Sequence, residues 1–554
     1  MVNVKNLFGM AVMATALVGC SSNDNLAPDG NGGNKDGAAY ASFTINLPTT
    51  RATRATDGEP SFAEGDAKEY EVKNGTILIF DMDGKYVTSA QLGNMNPWKD
   101  IKTDGVTTAA TATVKLTGVN VGVNYQALVL LNNDVDGAPS KVTLPTSGES
   151  YASWNAKAKN ATAAYTNTDY IFMANAPKYT GTSTEPTTLV PVANICASRE
   201  QAEAQPATTV YVERGLAKVT MQKFNADGYA IAAGTYEGGK VKITAWQLDV
   251  TNKSTFPVHQ TDGLMTAWDQ IWNTGRFFDA TSSMFQRVYW GKDPNYSGGA
   301  LQDLAACKDA FNMITNDKVV GEAGIENPQY CLENTFDLAN MMQGQTTRVV
   351  FKAVFTPKDF VTGQTFYKIG NTTAIWDATK LAQQIKTVAF KAMKITTADE
   401  QAKYSVDLSK GSNISGVAGL HKITADNITF TGEGESKVKP DVVDAINEKL
   451  GLKEAGISTY LNGEAYYIAR IKHFNELTPW TAGTPYNGDN NAFLGRYGVL
   501  RNNWYDLSVN SISGLGYPDV PEVKPEMPDD ENEQYINVEV KILDWAKRSQ
   551  SIDL

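Results

Sequence analysis

Histidine is almost missing from this chain: His259, His421 and His473 are the only three in 554 residues. They lie far apart and without His-Glu-x-x-His or Gly-x-Ser-x-Gly context, which argues against a zinc-protease or serine-hydrolase site. Cysteine is scarce too, with four residues and no Cys-x-x-Cys, which argues against a thiolate metal site or a redox motif. Positive charge is in deficit: 49 Lys and Arg against 61 Asp and Glu leave a net charge of −12, the wrong sign for a nucleic-acid footprint. Beyond the first twenty residues no apolar run approaches the ~20 residues that a transmembrane helix needs. No cofactor is implied by any of these features.

The one conspicuous apolar run is short. It spans residues 7–19, follows Lys5 and ends in Leu17-Val18-Gly19-Cys20. A basic start, a short apolar stretch and small residues at its end make a secretory signal. The ending resembles a bacterial lipobox, so residues 1–19 are expected to be a lipoprotein signal peptide and Cys20 the lipidated first residue of an exported chain. Lipid would then be the membrane attachment. Setting Cys20 aside leaves Cys196, Cys307 and Cys331, an odd number. A Cys307–Cys331 bridge is permitted in an oxidising compartment, with buried free thiols as the alternative.

After a Ser/Asn/Asp/Gly tether over residues 21–38 comes a strand signature. Ala41, Phe43, Ile45 and Leu47 alternate with Ser42, Thr44 and Asn46, the period of a half-buried strand. A polar loop with Arg51 and Arg54 follows at once. The body then reads as short strands between turns. Thr76-Ile77-Leu78-Ile79-Phe80 runs into Asp81-Met82-Asp83-Gly84, a hairpin signal, and Tyr125 to Leu131 runs into Asn132-Asn133-Asp134. The polar, alanine-rich residues 198–208 look like a boundary, after which a second β-rich segment begins near Val210. Helical signal is sparse; the best candidate follows Pro440, with Val442, Val443, Ile446 and Leu450 at helical spacing. The expected fold is all-β, two tandem β-sandwiches with insertions.

The far end is unusual. Residues 517–534 hold Pro518, Pro521, Pro525 and Pro528 among seven acidic residues, with Lys524 the single base. Such a stretch is expected to be extended, self-repelling and outside any core, reaching on the order of 50 Å. Beyond it, Ile536, Val538, Val540 and Ile542, followed by Leu543, form the apolar row of another strand, with Asn537, Glu539 and Lys541 opposite. A bare apolar strand needs a groove. If a protease cuts after Arg51 or Arg54 and the strand of Ala41, Phe43, Ile45 and Leu47 leaves, a neighbour's terminal strand can replace it. Strand addition of this kind runs head to tail without closing, and so builds a filament. Under this scheme the leading strand lies along an exposed sheet margin and the terminal one hangs loose on its spacer.

The chain resembles the FimA/Mfa-type fimbrillins of Bacteroidales, nearest to the major subunit of Mfa-type (minor) fimbriae. Besides the lipobox and the Arg51/Arg54 site, the likeness is carried by Val212-Glu213-Arg214 with Ala217-Lys218 and by Phe351-Lys352-Ala353-Val354-Phe355-Thr356-Pro357. It continues in Tyr466-Tyr467, in Arg501-Asn502-Asn503 with Tyr505, and in the closing Asn537-Val538-Glu539-Val540, Trp545 and Asp553-Leu554. The resemblance implies transthyretin-like sandwiches, arginine-specific proteolysis and polymerisation through a C-terminal donor strand. The implied partners are copies of itself in a head-to-tail homopolymer, accessory anchor and tip subunits, an arginine-specific protease, and the outer membrane before cleavage.

The expected layout is a lipidated propeptide over residues 20–54, sandwiches over 55–205 and 206–516, a linker over 517–534 and a donor strand over 535–554. Under it the protein is a non-enzymatic stalk subunit of adhesive surface fimbriae that support biofilm formation. The rival is a monomeric lipid-anchored receptor whose aromatic loops, Tyr289-Trp290-Gly291 with Tyr296, or Trp268 and Trp272 near Phe277-Phe278, grip a glycan or host protein. Gly234 to Lys240 has phosphate-loop spacing, but Val241 stands where Ser or Thr is required and a strand follows. Asp81-Met82-Asp83-Gly84 and Asp134-Val135-Asp136-Gly137 lack the distal ligands of calcium loops and read as turns.

Overall fold

The computed structural model describes residues 38–48, 65–93, 99–100, 106–133, 142–157, 170–178, 186–264, 288, 290–296, 301, 303–370, 372–414, 420–473, 494–529 and 536–544. Cys20, Arg51, Arg54, Trp268, Trp272, Phe277, Phe278 and Tyr289 lie outside them.

The first unit is one nine-stranded sheet. Its strands are β1 (Ala38–Pro48), β2 (Gly75–Phe80), β3 (Tyr86–Gln91), β4 (Lys99–Asp100), β5 (Val106–Thr117), β6 (Gln126–Leu131), β7 (Met173–Asn175), β8 (Val190–Pro191) and β9 (Thr208–Arg214). They lie in the order β3-β2-β6-β7-β9-β1-β5-β4, with β8 on β6. The sheet curls until β3 nears β5, enclosing a core of Phe43, Ile45, Ile77, Ile79, Val129 and Leu131. The continuous apolar runs of β2 and β6 have a reason: their alternate residues Leu78, Phe80, Leu128 and Leu130 face a second cluster with Trp154 and Phe172. Between β2 and β3, Asp81 Oδ1 accepts the N–H groups of Asp83 at 3.0 Å and Lys85 at 2.8 Å, and Gly84 takes φ +74°, so this is a turn.

The second unit is a sandwich of two four-stranded sheets. Along the chain come β10 (Ala217–Met221), β11 (Tyr229–Ala230), β12 (Lys240–Asp249), a small ribbon of β13 (Thr251–Asn252) and β14 (Phe311–Asn312), then β15 (Gly324–Cys331) and β16 (Arg348–Thr356). An inserted unit follows, with β17 (Phe366–Ile369), β18 (Ile375–Trp376), β19 (Tyr404–Val406), β20 (Ser412–Asn413), β21 (Leu420–Lys422), β22 (Ile428–Phe430) and β23 (Ile457–Tyr460). Last are β24 (Glu464–Arg470), β25 (Asn503–Ile512) and β26 (Ile536–Asp544). Sheets β15-β10-β25-β26 and β11-β12-β16-β24 close on Val219, Trp246, Phe351, Tyr467, Tyr505 and Leu507.

Several expectations are corrected. The changeover between units falls at Gly215, not within residues 198–208, because β9 pairs with β7 and β1 of the first sheet. The polar stretch is instead a short helix, Arg199–Ala204, capped by Ser198. The helix after Pro440 is present, Pro440–Lys449, burying Val442 and Ile446. It has a longer neighbour, Ala378–Met393, which buries Leu381, Ile385, Ala389 and Met393 along one stripe after Asp377 caps it. Residues 517–529 do not stay outside the core. Val523 is buried with Val250 and Phe311, Tyr517 pairs with Tyr466 through both backbone bonds, and Asp529 accepts the Thr346 hydroxyl at 2.9 Å. Arg348, paired with Asp249, donates to the Pro521 carbonyl, and Lys308 pairs with the tail's Glu522 at 3.4 Å.

Candidate functional site: the leading and terminal strands

The leading strand is interior, not marginal. β1 runs antiparallel to β5 from Ala38 to Pro48 and parallel to β9 from Phe43 to Asn46. Ala41, Phe43 and Ile45 are wholly buried and Leu47 is 1% exposed. The alternation seen in sequence is thus a core row; Ser42, Thr44 and Asn46 form the other face, with Ser42 Oγ 2.8 Å from Thr113 Oγ1 and Thr44 Oγ1 2.9 Å from Thr111 Oγ1. This position follows from topology: β1 lies between β9 and β5, with β4 on the far side of β5, so β1 is the seam between two halves of the sheet. The segment that follows it in the chain carries both Arg51 and Arg54.

The terminal strand is not loose. β26 pairs antiparallel with β25 along its length and forms the margin of its sheet. Register sets Val538, Val540 and Ile542 opposite Val509, Leu507 and Tyr505, and Leu543 opposite Trp504; Ile536 meets Ile512. A bulge between Val509 and Ser511 accommodates the change of spacing.

Between the two units lies a buried polar joint built from the motifs that carried the family resemblance. The Glu69 carboxylate, on the short helix Ala67–Tyr70, is fully buried against Lys218 Nζ at 2.7 Å and the Tyr330 hydroxyl. Arg214 Nε donates to the Glu69 carbonyl at 2.8 Å and Nη1 to Asn502 Oδ1 at 3.2 Å; Lys218 also sits 3.9 Å from the Trp504 ring centre. A second knot joins Glu213 of β9 to His259 Nδ1 at 2.8 Å, with Glu333 4.0 Å from Nε2 and held by Arg501 Nε at 3.2 Å. Burial opposes charge on His259, yet Glu213 and Glu333 outweigh it and hold its pKa above the ordinary value. Glu69 is the mirror case: burial resists its charge, but Lys218, Tyr330 and Arg214 keep its pKa low. These groups were legible only as motif letters; no local spacing announces a pair such as Arg214 and Asn502.

Other sequence candidates resolve simply. Cys196, Cys307 and Cys331 are buried and none is in a disulfide, so the Cys307–Cys331 bridge is not made; Cys307 lies on the helix Leu304–Ala310 while Cys331 belongs to the sandwich core. Trp290 and Tyr296, read as aromatic-loop binders in the rival scheme, are buried, Trp290 edge-on to Phe336. His473 is buried with Nδ1 2.8 Å from the Tyr505 hydroxyl. Among the described residues no group of three or more His, Cys, Asp or Glu is placed to hold a metal ion.

Residues 458–551 match the family described as major fimbrial subunit protein type IV, fimbrillin, C-terminal. No curated protein matches the chain. Among solved structures, the tip fimbrial protein Mfa3 of Porphyromonas gingivalis is similar at 11% identity, covering 91% of this chain and 100% of its own, with a TM-score of 0.30. A fimbrial assembly protein of Parabacteroides distasonis is similar at 12% identity over 58% of this chain and 96% of its own, TM-score 0.25. The fimbrial anchor protein Mfa2 of Porphyromonas gingivalis is similar at 11% identity over 58% and 78%, TM-score 0.19. Residues 458–551, which include the terminal strand and the strand it pairs with, are thus the part of the chain that is similar to the C-terminal region of the fimbrillins.

Proposed function

We propose that this chain is the stalk subunit of an adhesive cell-surface fimbria, exported as a lipoprotein through Cys20 and matured by an arginine-specific protease at Arg51 or Arg54. Loss of β1 then opens a slot one strand wide between β5 and β9, and the β26 strand of a second copy fills it. The observation that carries this reading is β1 itself: a central strand whose Ala41, Phe43, Ile45 and Leu47 are buried and whose chain continuation carries Arg51 and Arg54. Removing it bares two sheet edges and the core places of Ala41, Phe43, Ile45 and Leu47, of which the three larger contribute roughly 1.5–3 kcal/mol each. That is a strong drive to take up a substitute strand. Because β26 begins on its own β25 and residues 517–529 lie docked, donation requires the tail to peel away first. The growing chain is a homopolymer, with anchor and tip subunits as accessory partners.

The docked tail also suits the rival, a monomer that keeps both strands. Trypsin treatment of the purified precursor separates them. The stalk reading expects an SDS-resistant ladder and a new N-terminus at Ala52 or Ala55, lost on truncation before Tyr535; the receptor reading expects monomers under every digestion.

A further inference from the structure

The slot has a strap formed by residues 195–205, which bridges the edge of β1 at Cys196 and covers its polar face at Ala202. Tyr40 N–H donates to the Cys196 carbonyl and Cys196 N–H donates back to Tyr40, both at 2.8 Å. The Ser42 hydroxyl reaches the Ala202 carbonyl at 2.9 Å, and the Arg199 guanidinium lies 5.9 Å from the Tyr40 ring centre. This strap therefore reads a strand in two ways. The Cys196 exchange uses backbone alone, so any extended segment can remake it. The Ala202 contact is selective: a carbonyl only accepts, and the place facing it is 7% exposed, so it calls for a short side chain with a donor.

The polar row of the terminal strand offers Asn537, Glu539 and Lys541. Glutamate would set a carboxylate against the carbonyl, and lysine would force an ammonium and its long stem into a space sized for serine. Asparagine fits: its amide N–H can donate to Ala202 and its oxygen can accept from the Thr113 hydroxyl. Resting on the donor-strand reading above, we infer that Asn537 of a second copy takes the place of Ser42 beneath the strap and sets the register of assembly. The core row then decides direction. Running as β1 runs, Ile536, Val538, Val540 and Ile542 take the places of Ala41, Phe43, Ile45 and Leu47, and only Gln534 falls on a core place, that of Ala39 at the strand's end. Reversed, the places of Ile45 and Leu47 in mid-core pass to Gln534 and Asn532. The donated strand thus lies antiparallel to β5 and parallel to β9.

Register is read by cross-linking. Thr113 faces Ser42 across the antiparallel pair, and opposed residues there are about 4.5–5.5 Å apart at Cα, within disulfide reach, whereas diagonal neighbours at about 7–8 Å are not. In a Cys196→Ser background, Thr113→Cys protein mixed with Asn537→Cys protein, digested with trypsin and mildly oxidised, should give an intermolecular disulfide. Glu539→Cys or Lys541→Cys in place of Asn537→Cys should give none. Separately, Asn537→Asp should slow ladder formation by about tenfold or more while Asn537→Ser assembles as the parent does. Cross-linking of residue 539 or 541 in preference to 537, or an unslowed Asn537→Asp, overturns the register while leaving strand exchange standing. A parent protein that forms no ladder brings down both.

Discussion

Phe43→Ala separates the role of the leading strand in the intact precursor from events after cleavage. Phe43 is wholly buried, pairs with Ala112 of β5 and Thr208 of β9, and packs in the core of the first sheet. Truncating a phenylalanine so placed costs about 3–5 kcal/mol in lost burial and residual cavity. At about 1.4 kcal/mol per tenfold, hydrogen exchange in β5 and β9 that proceeds through release of β1 should speed up by roughly two to three and a half orders of magnitude. Peptide-resolved exchange of the intact precursor measures this directly, with β15 and β16 of the second sandwich as the unaffected reference. The substitution lies upstream of both arginines, so the mature subunit is chemically the parent. Its filaments should melt at the same temperature, and cleaved precursor should enter them sooner. Exchange in β5 and β9 raised less than fivefold, or filaments of altered stability, would refute the reasoning.

The polar joint and the docked tail supply three further tests. Glu69→Gln removes the carboxylate paired with the buried Lys218 ammonium and should cost about 3–5 kcal/mol in urea unfolding. Because the pKa of Glu69 is lowered in the fold, its contribution is present above its unfolded value and lost as pH falls through the folded one, so the variant should also lose part of the parent's acid sensitivity. The pKa of His259 is raised, so the stability it lends is full below an unfolded value of about 6.5 and fades as pH climbs through the folded value; His259→Gln should flatten that part of a melting curve taken from pH 5.5 to 8.5. Asp293, pushed up to about 7 by burial, also loses stability with rising pH, so the parent-minus-variant difference is the quantity to read. Val523→Asp should loosen the tail and speed glutamyl-endopeptidase cleavage within residues 517–535 severalfold; an unchanged rate would show that Val523 does not hold it.

The features legible in the sequence are local ones. The alternation of β1, the Asp81–Gly84 turn and the helix after Pro440 each rest on a period or a cap within a dozen residues. The helix Ala378–Met393 is equally legible, since Leu381, Ile385, Ala389 and Met393 recur at four-residue steps behind Asp377. Sheet membership is not legible: whether β9 joins the first or second unit depends on a parallel partner more than 150 residues away, and composition cannot report that. The docking of the tail is hidden for a similar reason, because charge and proline count say nothing of the receiving residues. Arg348, Thr346 and the Val250–Phe311 pocket are scattered through the chain. The buried pairs Glu69–Lys218 and Arg214–Asn502 stand in the sequence as isolated letters, visible as a motif and mute as chemistry until the sheets bring them together.

Strand exchange is tested most sharply by the structure of the assembled product itself, from electron cryo-microscopy of filaments grown from trypsin-cleaved precursor. Density for Ile536 to Ile542 of one subunit is expected between β5 and β9 of the next, with Ala38–Pro48 gone. Filaments in which Ala38–Pro48 still lies between those strands, or in which Ile536–Asp544 remains on its own β25, would rule the exchange out.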